Sequence, residues 1–209
     1  MSSTAPTATE CGVVELRRYL LRPGGRDALI ELFEREFVES QEVLGMHLFG
    51  LFREEGADDH FVWFRGFRDL GERLTALQTF YSGPVWARHG AAANATMIST
   101  DDVLLLRPTQ LYASEPPGRD GSDRPPLEVA VSDLRGRSDA DRTALGDPAM
   151  PPGFRPLGRF ETLPAENDFP GLPVRDADVV VIIGTGAPAP GGEGVVRHRL
   201  LPTARSRWP

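Results

Sequence analysis

Apolar positions set out the first half of the chain as strand, helix, two strands, two helices and strand. Over residues 13–21, Val14, Leu16 and Leu20 alternate with Glu15, Arg17 and Tyr19, which predicts a strand with one apolar and one polar face. Pro23-Gly24-Gly25 interrupts it. Leu29, Ile30, Phe33 and Phe37 then recur at helical spacing to about Ser40, leaving Glu31, Glu34, Arg35 and Glu39 for the wet face. Residues 46–53 predict a second strand, with Met46, Leu48 and Phe52 on one face and His47, Phe49 and Leu51 on the other. After an acidic turn, residues 60–67 form a third, with Phe61 and Trp63 opposed to Val62 and Phe64. Asp69, with Glu72 three residues on, starts a helix carrying Leu70, Leu74, Leu77 and Tyr81. Gly83 stops it and Pro84 opens another, on which Trp86, His89, Ala93 and Met97 share a face with Asn94 at its edge. Residues 101–107 give a last apolar strand.

This β-α-β-β-α-β order is ferredoxin-like, an α+β arrangement with helices on one sheet face. The polar face of the first strand is expected to point away from those helices. The rest of the far face is too apolar to be left wet, so either the second half of the chain or a second copy must cover it. Residues 1–11 read as a disordered tail, 12–112 as the first half, 113–126 as a Pro/Gly-rich linker and 127–206 as a second half. That second half echoes the first in order: Leu127-Glu128-Val129, Pro156-Leu157-Gly158-Arg159-Phe160, residues 178–183 and Leu200-Leu201-Pro202-Thr203. A tandem ferredoxin-like repeat forming a dimeric α+β barrel-like fold is the expectation. The second repeat is degenerate. Its first helix shrinks to about residues 138–145, a Gly/Pro-rich run at 186–192 replaces the later helices, and a long loop at 166–175 separates two strands.

Composition removes several chemistries. With 40% hydrophobic and 25% charged residues the chain can build a core. The net charge of -7 argues against nucleic acid or an anionic membrane as partner. No apolar run reaches the roughly 18 residues of a membrane span, and the first ten residues lack a signal peptide's pattern; a cytoplasmic protein is expected. There is no lysine, which excludes a Schiff-base lysine and a lysine-bearing phosphate loop. Cys11 is the single cysteine, so internal disulfides and cysteine-rich zinc sites are excluded, and an inert thiol is expected.

Three constellations carry candidate chemistry. Glu15, Arg17 and Tyr19 either orient a polar ligand or form an ion pair in a seam between sheets. Tyr81, Trp86, His89 and Asn94 outline an aromatic cleft. There His89, with a reference pKa of about 6.5, could serve as base and Asn94 could stabilise an oxyanion; the bland alternative is core packing around a hydrogen-bonded histidine. His47, His60 and Arg65 lie on neighbouring strands, the histidines too far apart for a shared metal; no metal is expected. Arg65 either clamps an anion or pairs with Asp69 or Glu72. Trp63 and His47 complete the candidate binding wall. Gly184-Thr185-Gly186-Ala187-Pro188 looks like a dinucleotide fingerprint, but Pro188 and Pro190 block the helix it needs. Arg65-Gly66-Phe67 starts like an RNA-binding strand, but Arg68 and Asp69 stand where aromatics should follow.

The chain resembles the NIPSNAP family at Glu15-Leu16-Arg17-Arg18-Tyr19, at residues 61–67 with 70–73, and at Gly83-Pro84-Val85-Trp86. Asp102-Val103-Leu104-Leu105-Leu106-Arg107-Pro108 and the 166–175 loop are also similar. The resemblance implies the dimeric α+β barrel superfamily, which contains cofactor-free monooxygenases, cyclases and isomerases with a cavity between sheet and helices. It supplies no shared catalytic signature. The resulting expectation is an enzyme without a bound organic cofactor, acting on a small-molecule aromatic ligand. In it His89 is the base, Asn94 and Arg65 stabilise negative charge, and Tyr81 and Trp86 form the wall. A non-catalytic carrier with the same cavity is the alternative. A homodimer is the expected assembly if a second copy supplies the cover.

Overall fold

The computed structural model describes residues 7–112 and 124–208. The first six residues of the expected tail and residues 113–123 of the expected linker lie outside the described residues. Among the described residues eight strands are formed: β1 (Val13–Leu21), β2 (His47–Glu54), β3 (His60–Phe67), β4 (Met97–Leu111), β5 (Leu127–Asp133), β6 (Phe154–Thr162), β7 (Val179–Gly186) and β8 (Val195–Pro202). They close into one barrel in the order β1-β3-β2-β8-β5-β7-β6-β4. Every pairing is antiparallel. The first half therefore contributes β4-β1-β3-β2 and the second β8-β5-β7-β6. They are stitched together at the β2–β8 and β4–β6 seams.

The helices lie over the first half: α1 (Gly25–Leu32), a π turn (Phe33–Phe37), α2 (Val38–Glu42), α3 (Leu70–Ser82) and α4 (Pro84–Ala95). The second half has α5 (Asp139–Gly146), capped by Ser138, whose hydroxyl accepts from the Asp141 N–H. As the sequence predicts, the Asp69 carboxylate accepts from the Glu72 N–H at 2.8 Å, and Pro84 sits in the first turn of α4. Such a cap is worth about 1 kcal/mol.

Two cores result. Phe61 and Trp63 pack under the helices with Phe33, Phe37, Leu77 and Phe80. Val62 and Phe64 point into the barrel and meet Val129, Phe160 and Val181 of the second half. The cover that the apolar far face requires thus comes from the same chain. The end of the chain joins it: Trp208 packs on Phe49 and Phe64, with ring centroids 4.6 and 5.5 Å apart.

Three sequence readings are corrected. Glu15, Arg17 and Tyr19 face the helices, while Val14 and Leu16 enter the barrel. The strand alternation was right, but an apolar face suits a barrel interior closed on itself better than a helix layer that carries its own charges. The simple alternation assigned to β2 also fails. The register with β3 shifts between Leu48 and Gly50, so Leu48 and Leu51 face the helices and Phe49 and Phe52 the interior. An extra residue on one strand resets the side-chain phase beyond it. Finally, Cys11, read as part of the tail, is 3% exposed, next to a short 3₁₀ turn at Ala8–Glu10. Burial pushes its thiol up to about 12, which leaves it unreactive.

Candidate functional site

Between the sheet and the helices lies a cavity of about 350 Å³. Its floor is Tyr19 on β1 and Trp63 on β3. Phe33, Phe37 and Gln41 reach it from the first helical segment. An α-helix advances 3.6 residues per turn, so positions four apart drift round the axis. The π turn at Phe33–Phe37 widens that step and brings all three to one wall. Phe80 and Tyr81 come from α3, and Trp86 and Asn94 from α4. Gly90 allows the Trp86 indole to lie along α4, since a Cβ there would be 2.6 Å from the ring. The roof is Phe169, Gly171 and Leu172 in the loop between β6 and β7. Phe169 stacks on Tyr81 with centroids 5.9 Å apart and an interplanar angle of 23°.

Next to this aromatic wall lies a cluster of buried charge. Glu15, Arg17, Arg65 and Arg73 are each 0% exposed. Glu15 Oε2 accepts from Arg17 Nη1 at 2.8 Å and from Arg65 Nε at 2.7 Å, while Oε1 accepts from Arg73 Nε at 2.8 Å. Burial opposes the Glu15 charge, but the three guanidiniums outweigh it and hold the carboxyl far below the ordinary range. Arg17 Nε donates to the Tyr19 hydroxyl at 2.9 Å, and Arg65 Nη1 to Gln41 Oε1 at 3.1 Å. The Arg65 guanidinium also sits 4.9 Å from the Trp63 ring centroid. Arg73 Nη1 reaches Asp168 and Asn167 of the roof loop, so the roof is tied to the charge cluster.

The charges do not balance. Three guanidiniums share one fully buried carboxylate, with the partly exposed Asp168 as the second. Arg17 Nη2, Arg65 Nη2 and Trp63 Nε1 are buried without a hydrogen-bond partner among the described residues. A buried cation carries a large desolvation cost unless paired, so the surplus favours negative charge nearby. Burial also raises the Tyr81 hydroxyl, which keeps it a protonated donor.

The structure brings together Tyr19, Trp63, Tyr81, Trp86 and Asn94 on the cavity, with Glu15, Arg17 and Arg65 alongside. It does not bring His89 or His47 to the wall. His89 Nε2 lies 3.4 Å from Glu36 Oε2, bridging α4 to the first helical segment. His47 is edge-on to Phe49 at 4.5 Å. Arg65 pairs with Glu15 and not with Asp69 or Glu72. His60 Nδ1 contacts Asp59 at 2.7 Å, and among the described residues no three His, Cys, Asp or Glu side chains converge on a metal position. Sequence reasoning missed Arg73, Gln41 and the roof. An arginine on the apolar stripe of α3, three residues after Leu70 and four before Leu77, was the available signal for Arg73. Nothing local places Phe169 over Tyr81.

A closed eight-stranded antiparallel barrel with helices on one side and a cavity between them defines an α+β barrel protein. Residues 14–112 match the NIPSNAP family model. It is similar to a NIPSNAP-like domain protein from Burkholderia xenovorans, with 26% identity over 50% of this chain and 91% of that one, at a TM-score of 0.44. An anthrone oxidase-like protein shares the fold over 91% of each chain, with 12% identity and a TM-score of 0.57. A candidate monooxygenase from Lactobacillus acidophilus does so over 91% of this chain and 93% of that one, with 13% identity and a TM-score of 0.55. The last two show the barrel architecture across both halves. No curated protein matches the chain significantly. No helix among the described residues is long and apolar enough to cross a membrane.

Proposed function

We propose that this protein binds a flat phenolic or quinone-like compound in its anionic form, within the helix–sheet cavity, and converts it by oxygenation, cyclisation or isomerisation. On this reading the chain is a pair of tandem ferredoxin-like units, the second reduced to sheet, sharing one barrel. Both halves having the strand order 4-1-3-2 supports that descent. The observation that carries the functional reading is the aromatic cavity beside three buried guanidiniums and a single fully buried carboxylate. Such a field lowers the energy of a phenolate or enolate. Tyr19, Tyr81 and Trp63 offer donors beside it, and Asn94 stands at the mouth. His89 acts by holding α4 in place. The names of the two fold neighbours, one oxidase-like and one a candidate monooxygenase, agree with the oxygenation branch.

One observation favours the carrier reading: among the described lining residues the only titratable groups are Tyr19 and Tyr81, so no carboxylate, imidazole or thiol faces the cavity. An enzyme built this way must act on a substrate that ionises readily by itself. The test compares 2-hydroxy-1,4-naphthoquinone, ionised at neutral pH, with neutral 1,4-naphthoquinone by tryptophan fluorescence titration. The anion is expected to bind about tenfold more tightly or better, equivalent to ~1.4 kcal/mol. Equal affinity would remove the guanidinium field from the account. Mass analysis of acidic phenols and quinones recovered after incubation separates the branches: an altered compound marks an enzyme, an unaltered bound one a carrier.

A further inference from the structure

The barrel has two ends. Trp208 fills one, against Phe49, Phe64 and Phe160. At the other, a cavity of about 230 Å³ opens into the interior. Its wall is aliphatic, with Leu16, Val62, Leu104 and Val129 at the sides and Val131 and Val196 toward the opening. This is a different space from the helix-side cavity, and the two share no lining residue.

Charged side chains ring the mouth, and they are matched. Arg18 Nε donates to Glu54 Oε2 at 2.6 Å. Arg175 Nη1 donates to Asp102 Oδ1 at 2.6 Å, and Arg135 Nη2 to Asp133 Oδ2 at 2.7 Å. The rim therefore offers no net field for an ionic ligand. His198 differs: it lines the cavity, and its Nδ1 is 2.7 Å from Glu54 Oε1. Burial opposes charge on Glu54, but hydrogen bonds from His198 and Arg18 outweigh it and hold its carboxyl at about 2. An ionised carboxylate can only accept, so Nδ1 carries the proton, and in that tautomer Nε2 is the acceptor.

We propose that the barrel mouth is a second binding site, for a small neutral molecule with an apolar ring and one hydroxyl, the hydroxyl donating to His198 Nε2. The aliphatic wall takes the ring, the paired rim excludes ions, and the oriented imidazole selects for a donor. Glu54 is a positioning residue, fixing the tautomer. The volume suits a single substituted ring and is below the range typical of drug-sized ligands.

The test uses the full chain with labelled methyl groups and histidine rings, followed by NMR. Phenol is the probe, and toluene has the same ring without the hydroxyl. Phenol is expected to shift the Leu104 and Val131 methyl signals and the His198 ring signals saturably. Toluene should bind about fivefold more weakly, the worth of one hydrogen bond. His198→Phe should erase the difference. If that variant does not fold, the wild-type comparison of phenol with toluene still decides. Unmoved Leu104 and Val131 signals, shifts confined to Met97 and Leu172 of the helix-side cavity, or equal binding of the two probes would each overturn the proposal. Because Met97 and Leu172 report the other cavity separately, failure here leaves the quinone experiment untouched.

Discussion

Glu15 is the residue on which the buried charge cluster depends. Its two oxygens receive three arginines that come from β1, β3 and α3. Replacing Glu15 by Gln keeps the shape and removes the charge. Breaking a buried ion pair by deleting one partner costs about 3–5 kcal/mol, because the remaining charge stays buried. Urea denaturation of Glu15→Gln is expected to show a loss of that order. The same residue sets an acid limit. Its folded-state carboxyl titrates well below the ordinary value of 4.5. Its contribution is therefore complete above that unfolded value and fades as pH falls below it. Stability measured from pH 6 downward should decline beneath about pH 4.5, and Glu15→Gln should flatten the decline. A variant as stable as the parent across that range would show the cluster to be energetically idle. At this scale the sequence was informative: Glu15, Arg17, Tyr19 and Arg65 were visible as polar residues on otherwise apolar strands. Which layer they faced was not visible, since both faces of β3 are equally greasy.

Among the elements, the β6–β7 loop and the π turn shape the cavity. The loop is held by its own bonds, Asn167 Nδ2 donating to the Leu172 carbonyl at 2.8 Å and Phe169 N–H to Asn167 Oδ1 at 3.2 Å. It is tied to the first half through Arg73 and through the Arg175 N–H, which donates to the Val103 carbonyl. The second half, poor in helix, thus supplies the roof of the first half's cavity. Phe169→Ala removes the stacking partner of Tyr81. Aromatic contacts are worth about 0.5–1.5 kcal/mol beyond area, so binding of 2-hydroxy-1,4-naphthoquinone should weaken roughly twofold to tenfold, chiefly through faster release. Stopped-flow fluorescence would read this, and an unchanged release rate would mean the loop is not part of the site. The loop's length and its place between strands could be read from the sequence. Its destination could not, because the contact joins residues 81 and 169 through the closed barrel.

For the whole molecule, closure of the barrel within one chain is the governing event. Val62 and Phe64 of the first half are 2% and 0% exposed, with Val129, Phe160 and Val181 of the second in the same core. Neither half has an interior alone. The C-terminal segment finishes the packing: the Ser206 hydroxyl accepts from the Leu51 N–H at 3.2 Å and donates to the Trp208 carbonyl at 2.9 Å. Trp208→Ala opens the plugged end, and a large-to-small change of this kind costs about 3 kcal/mol. Urea unfolding followed by both circular dichroism and fluorescence should keep one transition at a lower midpoint. Two separate transitions would show that the halves fold independently of the shared interior.

The one-dimensional pattern determined the elements, because period and capping are local: Asp69 with Glu72, Pro84 after Gly83, and the reduced helix at Ser138 each act within a few residues. It also determined that a sheet with two apolar faces needs two covers, and it carried the family resemblance. Tertiary structure alone decided which face each strand turns inward, since alternation is symmetric until something packs against it and the β2 bulge resets the phase. It decided too that His89 meets Glu36 and not the cavity, and that Arg73, Asp168 and Phe169 meet one another. Those contacts join residues far apart in sequence, and only closure of the barrel makes them neighbours.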